Sequence, residues 1–213
     1  MDSVTPRIAF TLFGLPVRNT VLATWVAMAL IILVIVILDK LKPHLLENFV
    51  EFLSNLIGGI MNLENVERYL PILGTLIIFI AVANSLGAIP LLTSPTSDIN
   101  TTIALALVIF FAVHIYGIRA NGVFRYAKDM ASPIFLLPLE IIGQVSRTIS
   151  LALRLFGNVL SGELIVAIVF SLIPFGVPLI LMSLSLFIGI LQAYVFTALS
   201  SVYIAAAVQI SEN

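Results

Sequence analysis

The longest apolar stretch of the chain, residues 133–170, reads PIFLLPLEIIGQVSRTISLALRLFGNVLSGELIVAIVF. As a helix, a segment of this length reaches about 57 Å, well beyond the roughly 30 Å of a bilayer's hydrocarbon core. A second long apolar stretch, residues 177–207, follows an uncharged loop at 171–176. Both helices must tilt, bend or extend beyond the membrane. The sequence therefore predicts a long tilted C-terminal helical hairpin.

The composition of the whole chain supports a membrane location. Of its 213 residues, 61% are hydrophobic and 10% are charged, and the mean hydropathy is +1.18. A water-soluble globule of this size cannot hide so much apolar surface. The net charge of −1 offers no electrostatic surface for nucleic acid, and no phosphate-binding loop motif is present. We expect an all-α polytopic membrane protein without nucleotide chemistry, metal site or cofactor of its own.

Upstream of the hairpin, three further apolar stretches predict three more crossings, which makes about five in all. An amphipathic segment with acidic residues at helical spacing separates the first stretch from the second, and we expect it to lie along the membrane or against a partner. We expect one membrane domain over residues 1–213. Its predicted segments are 21–38, 43–67 (the amphipathic one), 69–92, 101–118, 133–170 and 177–207.

The positions of lysine and arginine predict how the chain is oriented. The loops that contain Lys40, Lys42, Arg68, Arg119, Arg125 and Lys128 are basic. The loops at 93–100 and 171–176 contain neither lysine nor arginine. Because basic loops stay on the cytoplasmic side, the N-terminus is predicted outside and the C-terminus inside.

Ionisable residues inside the fifth apolar segment are the strongest indication of function, because charge at membrane depth is costly. On a helix, one polar stripe around Arg154 contains Arg147 and Ser161 within about 20°, and Glu140 and Asn158 within about 40°. Glu163 lies about 180° around the helix and about 13 Å further along, whereas Glu140 lies about 21 Å the other way.

This pattern indicates ion transfer rather than bond breaking. A carboxylate takes up and releases a proton, whereas a guanidinium keeps its charge at any physiological pH. An arginine between two acidic zones would therefore separate two half-pathways. Two interpretations without a role in ion transfer remain open: Arg147 extends to the cytoplasmic interface, and Glu140 is an interfacial cap.

Four polar residues elsewhere complete the set of candidates. Gln192 shares a face of the last helix with Ser185 and Tyr203, and we expect it to form hydrogen bonds with the arginine stripe. His114 is interpreted as a packing histidine near the inner end of the third span. Asp98 precedes Asn100 and is interpreted first as a helix cap.

Three motifs resemble the signature of subunit a of the F-type ATP synthase. They are SLALRLFGN at 150–158 with SGEL at 161–164, LQAYVF at 191–196, and PTSDINTT at 95–102. The resemblance covers the chain from about residue 70 onward in order and spacing. It implies a non-catalytic membrane subunit of the bacterial inner membrane, with a c-subunit ring, peripheral-stalk b subunits and the rest of the complex as partners.

The resemblance also implies roles for individual residues. Arg154 would face the carboxylates of the c-ring, between two aqueous half-channels for protons. Glu140 would lie on the cytoplasmic half-channel. The outward half-channel would contain Glu163, Asn158, Asp98 and Gln192, and the secondary candidates are Arg147, His114, Ser161 and Tyr203. Ser185 stands where other members carry histidine or glutamate, so a histidine partner for Glu163 is absent.

Three alternatives remain open on the sequence. The same subunit could translocate sodium instead of protons. The chain could be a self-contained secondary transporter, which the missing internal repeat disfavours. It could also be a passive scaffold.

Overall fold

The computed structural model describes residues 8–12, 15–63, 65–89, 93–130, 137–173 and 176–209. Residues 90–92 and 133–136 of two predicted spans, and 174–175 of the last loop, lie outside this part of the chain. Seven helices form most of it. They are α1 (Asn19–Leu41), α2 (Pro43–Met61), α3 (Leu70–Leu86), α4 (Ile99–Asn121), α5 (Val123–Met130), α6 (Leu137–Leu172) and α7 (Val177–Gln209).

Four of these helices, α1, α4, α6 and α7, are long and apolar enough to cross a membrane. Helix α3 is a fifth apolar helix, of 17 residues, which reaches about 26 Å at the usual rise per residue. The predicted all-α polytopic architecture is confirmed. With 36 and 33 residues, α6 and α7 reach about 54 and 50 Å.

Two features of the described chain differ from the sequence analysis. A short antiparallel hairpin, β1 (Ile8–Leu12) and β2 (Leu15–Arg18), precedes α1. Its β-branched and aromatic residues favour strands, but they are too few for a periodic signal. Helix α2 ends at Met61 rather than near residue 67, because Asn62 adopts a left-handed conformation with φ 50°, a common way to end a helix.

The core lies between α3, α4, α6 and α7, which pack against one another. Its largest fully buried members include Ile80, Ile109, Leu155 and Phe196, one from each of the four helices. A second cluster closes the bundle end that carries α2, through Ile57, Met61, Leu73 and Ile204. Helix α1 touches this bundle through its first half, where Thr20, Ala23 and Ala27 are buried.

Contacts between elements divide the bundle into two ends. One end carries the start of α1, the loop at 93–98 and the start of α4, because Arg18 contacts Asp98. The other end carries α2, the end of α4 and the end of α7, because Gln209 donates to the Met61 carbonyl and Asn121 to the Ala207 carbonyl. The basic residues from Lys40 to Lys128 all belong to segments at this second end.

Candidate functional site

Arg154 lies at the middle of α6, about 26 Å from either end of the helix. Its side chain is exposed, and the adjacent Leu153 is 50% exposed. Within the described part of the chain, Arg154 has neither an ion pair nor a hydrogen bond. The middle of the longest helix therefore presents a positive charge outward from the bundle.

Asn158, one turn beyond Arg154, connects α6 to α7. Its Nδ2 donates to Oε1 of Gln192 over 2.7 Å. Gln192 is 5% exposed, and its Nε2 is buried without a hydrogen-bond partner among the described residues. The contact joins the polar stripe of α6 to the facing helix, as the shared face of Gln192 suggested.

Glu163 is held by the loop that follows α3. The backbone N–H of Ser94 donates to Oε1 of Glu163 over 2.9 Å. Glu163 also borders a cavity of about 20 Å³, together with Asn158, Ser185 and Asn84. A polar cavity of this size is large enough for about one water molecule. The structure therefore brings Glu163, Asn158 and Ser185 around one small polar space.

The loop that holds Glu163 is fixed by a buried network that the sequence analysis did not foresee. Asn84 on α3 accepts from the Thr96 hydroxyl and donates to the Gly189 carbonyl of α7 over 2.8 Å. Ser94 Oγ lies 2.7 Å from Thr96 Oγ1 and donates to the Ala83 carbonyl over 2.9 Å. Ser94 and Thr96 are fully buried. In the sequence, Asn84 could have been recognised as a candidate because its side-chain amide lies within a largely apolar span.

Asp98 forms a separate cluster at the same end of the bundle. It caps α4 by accepting from the backbone N–H of Asn100 over 3.0 Å. It also accepts from Thr20 Oγ1 over 2.9 Å and pairs with Arg18 Nη1 over 3.1 Å. No hydrogen bond joins Asp98 to Glu163 in the described structure. The sequence analysis did not single out Arg18 or Thr20 as partners of Asp98.

Glu140 lies at the opposite end of α6, close to Arg147 and Gln144. Arg147 Nη1 is 3.8 Å from Glu140 Oε1, and Gln144 Nε2 donates to the same oxygen over 3.4 Å. The Arg147 guanidinium lies 5.9 Å from the ring centre of Tyr203. These groups are partly exposed, so the ion pair is weak. The arrangement forms a polar cluster where α6 and α7 approach.

His114 and Ser161 are satisfied within their own helices. His114 Nδ1 lies 2.7 Å from the Phe110 carbonyl, and its ring lies 6.1 Å from that of Tyr126. Burial, and after it the charge of Glu140, raises the pKa of Tyr126. Ser161 Oγ donates to the Asn158 carbonyl over 3.1 Å. The Nδ1 atom of His114 is thus held by its own helix, and the ring packs beside Phe110 and Tyr126.

These features define a polytopic helical membrane protein whose longest helix carries ionisable groups at its centre and towards both ends. Comparison with known families identifies the group of proteins more narrowly. The chain belongs to the ATP synthase A chain family, whose model matches residues 21–205.

Individual relatives match over nearly the whole chain. ATP synthase subunit a 2 of Bradyrhizobium sp. is 40% identical, covering 96% of this chain and 95% of the relative. ATP synthase subunit a 2 of Picosynechococcus sp. is 41% identical, covering 99% and 95%. ATP synthase subunit a of Moorella thermoacetica is 38% identical, covering 96% and 97%. The chain is therefore similar to these proteins over nearly its whole length.

Proposed function

We propose that this chain is the stator subunit that forms the two proton half-channels of a rotary F-type ATP synthase. In this proposal Arg154 separates the half-channels, and proton flow through them is coupled to ATP synthesis elsewhere in the complex. The observation that carries the proposal is the exposed, central Arg154, which has no partner among the described residues. Membership of the ATP synthase A chain family supports it.

An exposed arginine at the centre of a spanning helix requires an anionic partner outside the chain. A charge at that depth costs several kcal/mol unless it is paired or hydrated. Carboxylates of a c-subunit ring would supply the partner, each in turn as the ring rotates. The guanidinium stays protonated at all relevant pH values, so it favours the ionised carboxylate and repels cations. Protons would then cross only by travelling with the ring.

The outward half-channel would run along the polar groups around Glu163. Glu163 carries a proton, and the small cavity that it shares with Asn158 and Ser185 supplies room for a bridging water. Asn158 and Gln192 continue the polar surface towards Arg154. Ser185 brings a hydroxyl rather than an ionisable group, which leaves Glu163 as the titrating residue of this cavity.

The inward half-channel would begin at Glu140. Glu140, Arg147 and Tyr203 form a partly exposed polar cluster, in which Glu140 lies about 21 Å from Arg154 along α6. In this role Glu140 exchanges protons with the cytoplasm, and Arg147 holds its carboxylate towards α7. His114, Ser161 and Tyr203 would be secondary positions of the ion pathway.

The remaining assignments concern partners and location. The chain itself performs no catalysis; nucleotide chemistry belongs to other subunits of the complex. Peripheral-stalk b subunits would hold it against rotation, and residues 1–213 would act as one membrane domain in the bacterial inner membrane. The basic end of the bundle faces the cytoplasm, with the N-terminus outside and the C-terminus inside.

The decisive experiment replaces Arg154 in the complete complex reconstituted into vesicles. Arg154→Ala should abolish ATP-driven acidification while the complex assembles normally, because the charge that separates the half-channels is lost. Arg154→Lys should also pump poorly, since an ammonium is a compact point charge on a flexible stem. The measurement is acidification per ATP hydrolysed, with an uncoupler to define zero.

A matched control is Arg119→Ala, which removes an exposed arginine at the basic end of α4. This variant should pump normally. Normal coupled pumping by Arg154→Ala would rule the proposal out. ATP-driven uptake of radioactive sodium that persists in the presence of a proton uncoupler would instead assign a sodium-translocating version of the same subunit.

A further inference from the structure

Arg18 and Asp98 form an ion pair at the end of the bundle that holds Glu163. Arg18 Nη1 lies 3.1 Å from Oδ2 and 3.3 Å from Oδ1 of Asp98. The Asp98 side chain is 4% exposed, and that of Arg18 is 44% exposed. We propose that this pair is a positioning clamp: it fixes the loop at 94–98, whose backbone holds Glu163, and Asp98 itself remains ionised rather than carrying protons.

The surroundings of Asp98 are those of a permanent anion. Within the described part of the chain, its carboxylate accepts hydrogen bonds from the Arg18 guanidinium, the Thr20 hydroxyl, and the backbone and side-chain nitrogens of Asn100. A protonated carboxyl group would have to direct its own hydrogen among these donors. A residue that relays protons needs an acceptor for that hydrogen, and among the described hydrogen-bond partners of Asp98 only the Thr20 hydroxyl oxygen could accept it.

Titration of Asp98 is consistent with this role. Burial raises the pKa of Asp98, but hydrogen bonds from Asn100, Arg18 and Thr20, with the charge of Arg18, outweigh it and leave the pKa below its ordinary 3.8. The clamp is therefore complete above pH 3.8 and is lost only as the pH falls through the lower folded pKa. Of the elements packed on the loop, α6 contributes Glu163, whereas α3 contains no charged residue.

A short mechanical path leads from the clamp to Glu163. Thr20 belongs to α1 and Asn100 to α4, so Asp98 ties both helices to the loop. The Ser97 hydroxyl donates to the Ser94 carbonyl over 2.8 Å. The N–H of Ser94 then donates to Glu163. Loss of the clamp should therefore move the hydrogen-bond donor that holds Glu163.

The clamp rests on the proposed function, because it assumes that Glu163 carries protons. Its test uses the complete complex with Asp98→Asn, Asp98→Ala, Arg18→Ala and Arg18→Lys, and Glu163→Gln as reference. Removing a group that transfers a proton lowers the rate about 100-fold or more. Because Asp98 is not such a group in this proposal, Asp98→Asn should lower the rate of ATP-driven acidification by less than about tenfold. Asp98→Ala and Arg18→Ala should shift the pH profile of pumping, and Arg18→Lys should restore it in part.

A second measurement tests the clamp directly. Backbone amide exchange of residues 94–98 should rise in Arg18→Ala and Asp98→Ala, and the double variant should exchange no faster than the worse single variant. Arg119→Ala, which lies at the other end of the bundle, should leave both exchange and pH profile unchanged.

The outcomes separate the clamp from the function. The proposal would be overturned if Asp98→Asn lowered the pumping rate as much as Glu163→Gln does. Unchanged backbone amide exchange of residues 94–98 in Arg18→Ala would overturn it as well. Normal pumping by Glu163→Gln would instead count against Glu163 as proton carrier, while the exchange measurement would still decide whether the clamp exists.

Discussion

At the scale of single residues, the position of Glu163 depends on Gly87, which has no side chain. A Cβ atom on Gly87 would lie 2.8 Å from Glu163 Oε1 and 3.1 Å from Ser94 Cβ. Both distances are shorter than normal contacts, so the glycine leaves the space in which the carboxylate meets the loop. The same contact connects the end of α3 to the part of α6 around Glu163.

Gly87→Ala should therefore displace Glu163 from the Ser94 N–H. Overpacking of this kind costs about 1–3 kcal/mol, and we expect slower ATP-driven acidification with a shifted pH profile. The control is Gly59→Ala, because a Cβ atom there meets nothing within 4 Å. An unchanged pH profile in Gly87→Ala would show that this contact does not tune Glu163.

Sequence reasoning identified charged candidates more readily than their partners. Arg154, Glu163 and Glu140 are identifiable because charge in an apolar helix is rare. Helical angles likewise anticipated that Gln192 reaches the stripe of α6. The partners of Asp98 could not be derived in this way, because Arg18 lies 80 positions away. Contacts between distant segments depend on packing, which a single sequence does not specify.

At the scale of elements, Asn84 joins three parts of the fold. Its amide donates to the α7 backbone at Gly189 and accepts from Thr96 in the loop after α3. A Cβ atom on Gly189 would lie 2.9 Å from Asn84 Cβ, so α3 and α7 approach closely here. Buried polar pairs and small residues are a common means of holding membrane helices together.

Asn84→Ala should loosen this junction. It removes both hydrogen bonds and leaves the buried Thr96 hydroxyl without its acceptor on α3, at a cost of about 1–3 kcal/mol. We expect a lower thermal stability of the assembled complex, measured in detergent, with the matched change Asn55→Ala on the exposed face of α2 as control. Equal stability of the two variants would contradict a structural role for Asn84.

The helices were predictable to different degrees. Long apolar runs define α1, α4, α6 and α7 because about 20 such residues suffice for a crossing. The end of α2 was not predictable from its charge pattern, since acidic residues continue beyond Met61 while Asn62 turns the chain. The hairpin before α1 is short enough that its alternation does not stand out.

At the scale of the whole molecule, charge is distributed unequally between the two ends of the bundle. One end of the bundle, formed by α2, α5 and the C-terminal end of α7, carries Lys40, Lys42, Arg119 and Lys128. At the other end, the described chain has Arg18, and Asp98 neutralises it. Orientation follows the number of lysines and arginines rather than net charge, so the larger number at the end with α2 favours that end in the cytoplasm.

The sequence contains no cysteine, so single cysteines can be introduced directly to test the orientation of the chain. Single variants Lys42→Cys, Lys128→Cys and Ser171→Cys place exposed thiols at the two ends of the bundle. A membrane-impermeant maleimide should label the first two only in inverted vesicles and Ser171→Cys only in intact right-side-out cells or vesicles. The reverse pattern would exchange the two half-channels between the membrane faces, putting Glu163 on the cytoplasmic path and Glu140 on the outward one.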